Sequence, residues 1–72
     1  MKIEAIKFAT SIKVGKRGDE IVSVIESDIC KHTCDYDQKE KTFTIVDKKD
    51  PKNYCKVFPT NVAWFVPADE SN

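Results

Sequence analysis

The residues best suited to chemistry stand together at Cys30-Lys31-His32-Thr33-Cys34, which with Cys55 offers three thiols and the single imidazole of the chain. Three cysteines and one histidine form a donor set of the kind that holds zinc. On a straight strand Cys30, His32 and Cys34 share a face, but Cys30 and Cys34 then lie about 13 Å apart, too far to meet at one ion. A turn through His32 would be needed, and the Cys-x₃-Cys spacing lacks a second close pair. Cys30, His32, Cys34 and Cys55 are therefore metal candidates only, and no cofactor is expected. An odd number of cysteines also rules out a fully paired disulfide framework within one chain, so small, partly buried, reduced thiols are the expectation.

The same cluster can be read as a thiol nucleophile with His32 as its base. No third, orienting group and no oxyanion donor accompany the pair. Asp35 and Asp37 flank Tyr36 near a turn, where solvated carboxylates are expected rather than paired catalytic acids. The sequence thus reads as non-enzymatic.

Binding is the remaining class. Lys13, Lys16 and Arg17 cluster at a first turn, and Lys48, Lys49, Lys52 and Lys56 surround Asp50-Pro51. If the two loops lie on one side they would contact phosphates, with Tyr36, Tyr54 and Phe65 as stacking platforms for single-stranded nucleic acid. Against this, 12 basic and 12 acidic residues cancel in a chain of 72, and Asp19, Glu20, Asp47 and Asp50 dilute both clusters. Electrostatics supplies nearly all nonspecific nucleic-acid affinity. The competing reading is a protein-binding surface with Tyr54, Phe58 and Phe65 as apolar anchors and Lys48, Lys49 and Lys52 as a polar rim.

Such residues must be positioned by strands. With 40% hydrophobic and 33% charged residues the chain has the composition of an ordinary globule, and its length allows one small domain, expected over 1–67 with a frayed polar tail at 68–72. No apolar run approaches a membrane span and the first residues do not read as a signal peptide, which points to a cytoplasmic protein without a membrane partner. Apolar residues at Ile6, Phe8, Ile12 and Val14 alternate with polar ones, as a half-buried strand requires, while Ile3 and Ala5 fall in the opposite phase and predict a bulge or a strand break near Ala5. Gly15 and Gly18 bracket a turn. Glu20 to Asp28 is a β-branched run with Ile21 and Ile25 on one face and Val22 and Val24 on the other, which predicts a central strand covered on both sides.

A short strand through Tyr36, a charged turn at 37–40 and a strand over Thr42 to Val46 with Phe43 and Ile45 on one face follow. After the polar loop 47–53, Tyr54 to Phe58 reads as a strand. Pro59-Thr60-Asn61 reads as a 3₁₀ turn near residues 59–62, and Val62 to Val66 as a closing strand that turns Val62, Trp64 and Val66 to the core and Phe65 outward unless a loop or the N-terminal strand covers it.

Val57-Phe58-Pro59-Thr60-Asn61-Val62 resembles the end of a Src-homology-3 domain, where a strand runs into Pro-Ser-Asn-Tyr-Val and a 3₁₀ turn leads to the last strand. Pro59 and Asn61 match groove-lining positions of that family, while Val62 stands where it has a groove tyrosine. The family's Ala-Leu-Tyr-Asp-Tyr opening and paired tryptophans have no counterpart here. The resemblance implies an all-β, five- or six-stranded SH3-like barrel rather than a proline-rich ligand. The short, Lys-rich chain is also similar to small bacteriophage-encoded accessory proteins, which implies a protein partner in the host cytoplasm whose activity it modulates. The expected function is a non-catalytic binding module of that kind; the alternative is a single-stranded nucleic-acid-binding barrel using Lys13, Lys16, Arg17 and Tyr36.

Overall fold

The computed structural model describes residues 1–16 and 19–68. Six strands and one 3₁₀ turn follow in order: β1 (Lys2–Val14), β2 (Asp19–Ile25), β3 (His32–Asp37), β4 (Thr42–Asp47), β5 (Tyr54–Val57), the turn Pro59–Asn61, and β6 (Val62–Pro67). No α-helix occurs among the described residues, hence none long and apolar enough to cross a membrane. All pairings are antiparallel, in the order β2-β1-β3-β4-β5 with β6 also on β1.

The all-β architecture with its single 3₁₀ turn is as the sequence predicts, but the sheet is not closed as a barrel. Closure would require β5 to pair onward. Instead Pro59, which has no N–H to donate, ends β5 and turns the chain away, and the chain returns along β1. β1 is thus the central strand, bonded to β2, β3 and β6. The prediction that Glu20 to Asp28 lies at the centre is corrected: β2 is bonded to β1 alone, and its Val22 and Ile25 stay exposed. A β-branched run reports extended backbone, not the number of neighbours it will find.

β1 meets these demands by breaking its own register. Against β2, Lys7 pairs with Ser23 and Ile12 with Ile21, five steps along β1 against two along β2. The backbone freed at Thr10 is taken up by Asn61, whose Oδ1 accepts from Thr10 N at 3.0 Å and from Thr10 Oγ1 at 2.8 Å, while its Nδ2 donates to Thr10 O at 3.4 Å. Near the start, Ile3 pairs with Pro67 and Ala5 with Val66, so Glu4 is an extra residue. That is the bulge expected near Ala5, and it lets both Ile3 and Ile6 point inward.

The core is one cluster in which Ile3, Ile6, Phe8 and Val14 of β1 meet Val24, Cys34, Phe43, Ile45 and Val57. Phe43 and Ile45 are both buried, as their shared face predicts. The charged turn after β3 is held by Asp37, whose Oδ1 accepts from the backbone N–H of Lys39 and Glu40. Gly15 sits at φ +68° against the loop 47–53, and a side chain there would run into Asn53. Arg17, Gly18 and residues 69–72 of the expected tail lie outside the described residues. Ala68 still donates its N–H to Lys2 O at 3.0 Å.

Candidate functional site

The cysteine-histidine cluster does not converge. Cys30 lies in the loop before β3 and donates its thiol to His32 O at 3.1 Å. His32 is buried at the start of β3 opposite Asp47. Cys34 and Cys55 both pair with Ile45, one from either side, so their Cα atoms are about 10 Å apart, beyond the reach of a disulfide. Among the described residues no three His, Cys, Asp or Glu side chains are grouped so as to hold a metal. Burial, assisted by the charge of Asp35 and by Cys55, pushes the Cys34 thiol up to about 12, and burial raises Cys55 as well. A thiolate ligand or nucleophile needs the opposite shift.

The basic residues are dispersed, and among the described ones Lys48 and Lys56 have carboxylate partners. Lys48 Nζ donates to Glu26 Oε1 at 3.4 Å and to Ser27 O at 3.0 Å. Lys56 meets Glu40 at 2.7 Å, and that hydrogen bond and charge raise its pKa. Lys49 donates its backbone N–H to Asp47 Oδ1 at 2.8 Å, the main reason the Asp47 carboxyl sits below its ordinary range. Lys48 and Lys49 border one depression, shared with Asp28 and Asp47. Lys13 borders another beside Phe58. Lys56 joins Lys13 there, and Lys16 and Lys52 come together on a third that Tyr54 and Asp50 also line.

The three predicted anchors separate in the same way. Tyr54 on β5 and Phe58 just after it are exposed and line different depressions, while Phe65 belongs to a fourth place altogether. That place is a cleft of about 460 Å³ between β6 and the β3–β4 hairpin, lined by Tyr36, Phe43, Pro59, Val62, Trp64 and Phe65, with Ala63 at its edge. Phe43 forms its floor, its ring 4.8 Å from that of Tyr36 and 5.2 Å from that of Phe65, which meets it edge-on. No ionisable group other than the Tyr36 phenol lines it.

A bulge builds this cleft. Lys7 pairs with Trp64 but Phe8 with Val62, so Ala63 is an extra residue in β6. Phase is reset there, and Val62 and Phe65, three apart, both lean on the core side. The expectation that Trp64 and Val66 turn to the core and Phe65 away from it is therefore corrected: Trp64 is 47% exposed and Val66 42%, while Phe65, 42% exposed, rests on buried Phe43. Comparison with known protein families, curated proteins and solved structures finds no match to this chain.

The cleft thus draws Phe65 from the anchors proposed for a protein partner and Tyr36 from those proposed for nucleic acid. It adds Pro59, Val62 and Trp64, which the alternation of the sequence assigns to turn or core. An aromatic floor between apolar walls suits the insertion of an apolar side chain, and no cationic side chain lines it to hold a phosphate.

Proposed function

We propose that this protein is a non-catalytic binding module that docks a protein partner through the Tyr36, Phe43, Trp64, Phe65 cleft, taking up an uncharged apolar or aromatic side chain of that partner. The carrying observation is a half-exposed aromatic cleft without a charged residue in its lining. An exposed tryptophan and a partly buried tyrosine lining one pocket are ingredients of interface hot spots. The resemblance to small bacteriophage accessory proteins makes a host protein the natural partner. Nucleic acid is the second reading, supported by Lys16, Lys52 and Tyr54 meeting at one depression and weakened by Asp50 there and by zero net charge.

Trp64 is the only tryptophan, so its fluorescence reports on the cleft directly. Peptides selected on the native protein from a random display library should shift its emission, and Phe65→Asp or Tyr36→Ala should weaken them at least about tenfold, as loss of a hot-spot contact does. Tyr54→Ala should leave them unchanged. Selected peptides whose binding ignores Phe65 and Tyr36, or the absence of any selected peptide beside salt-sensitive oligonucleotide binding lost in Lys16→Glu, would refute the proposal.

A further inference from the structure

Three strands end the pairing scheme with one edge unpaired among the described residues: β2 and β6, each bonded to β1 alone, and β5, bonded to β4 alone. An open edge presents backbone donors and acceptors to any other chain, and proteins guard such edges with charge, proline or bulges. β2 carries exposed Glu20 and β5 exposed Lys56, the latter held by Glu40. β6 is Val62-Ala63-Trp64-Phe65-Val66-Pro67, without one ionisable side chain, and every residue from Ala63 to Pro67 is exposed. Its devices sit at the two ends, the Ala63 bulge and Pro67. Between them Trp64, Phe65 and Val66 run in unbroken register against Lys7, Ile6 and Ala5.

We infer that this edge is a self-recognition strand, along which two copies of the chain pair β6 to β6, antiparallel about a two-fold axis. Charge selects the occupant. An identical strand brings no like charges into opposition, and a chain of net charge zero does not repel its own copy at a distance. The same neutrality gives an oppositely charged foreign strand no advantage. Size sets the strength: Trp64, Phe65 and Val66 are 47%, 42% and 42% exposed, which at ~200 Å² per aromatic side chain leaves on the order of 250 Å² per copy. That lies well below the interfaces of permanent dimers, so the dimer is weak and depends on concentration. Main-chain hydrogen bonds along the edge supply the remainder. Trp64 and Phe65 also line the cleft, so the two surfaces overlap, and Val66, which is outside the cleft lining, is the residue that tells them apart.

Sedimentation equilibrium of the full chain between about 10 µM and 1 mM, the range where weak interfaces populate, tests this. The average mass should climb toward twice that of the monomer, and amide exchange of the native protein should show protection of Val62 to Val66 rising with concentration. Val66→Lys should abolish both changes, and Val22→Lys on the β2 edge should abolish neither. Loss of the dimer in Val66→Lys with cleft peptides still bound separates this inference from the function proposed above. A constant monomer mass, a dimer that survives Val66→Lys, or β6 protection that appears only with an added foreign peptide would overturn it.

Discussion

Replacing Asn61 by Ala tests whether the 3₁₀ turn holds the irregular middle of β1. The Asn61 amide is bonded to Thr10 three times, at 2.8, 3.0 and 3.4 Å, and Thr10 lies where β1 leaves the β2 register. Two of these bonds have good length and the third is marginal. Each ordinary hydrogen bond contributes about 0.5–1.5 kcal/mol net, and Thr10 is exposed, so water takes over part of what is lost. The expected cost is about 1–2 kcal/mol, which for a domain of this size lowers Tm by roughly 5–15 °C. Urea unfolding followed by far-UV circular dichroism would show a lower midpoint at unchanged slope. Amide exchange at Thr10 should accelerate more than exchange at Ile45, a buried strand residue far from the turn. Asn61→Asp keeps the acceptor and loses only the long donor bond, so it should fall between the two. An Asn61→Ala midpoint within about 0.3 kcal/mol of wild type would refute the pinning role, since surface substitutions without structural consequence lie in that range.

Two further outcomes follow from backbone and burial. Gly15→Ala should destabilise by about 1–2 kcal/mol or more in thermal melts, because φ +68° is unfavourable for any side chain and the added methyl meets Asn53. For Cys34, the folded thiol titrates near 12 against 9.0 for a free one, so the unfolded chain loses its proton first. Stability from this group is complete below pH 9 and is lost as pH rises from 9 toward 12, by about 4 kcal/mol in total. Denaturant midpoints at pH 8, 9.5 and 11 should therefore fall more steeply for wild type than for Cys34→Ala, and parallel profiles would contradict the burial of that thiol.

Much of the fold was legible because strands announce themselves by alternation and turns by their special residues. Ile6, Phe8 and Val14 on β1, Phe43 and Ile45 on β4, and the proline that ends β5 all behave as their spacing dictates. What alternation cannot report is a change of phase. The extra residue Ala63 carries an ordinary side chain, is not a glycine, and stands in an unbroken apolar run, so nothing local marks it as a bulge. Its effect is to exchange the roles of Trp64 and Phe65, and with them the position of the cleft. Strand order was hidden for a related reason: Val22 and Ile25 are as β-branched as any buried pair, and only tertiary pairing leaves them exposed. Of the candidate site residues, Phe65 was visible as an aromatic expected to face outward and Tyr36 as an aromatic on a short strand, but their meeting across Phe43 depends on contacts between distant strands.

The position of β1 has a consequence for how the chain comes into being. β1 needs β6, the strand most distant from it in sequence: Ile6 pairs with Phe65 and Phe8 with Val62. Until Val62 to Pro67 has been synthesised, one side of the central strand waits open, and the β3–β4 hairpin, whose pairing is local, is the part able to form early. The sheet is in this sense completed late in the sequence, by the strand that afterwards remains the most exposed of the six.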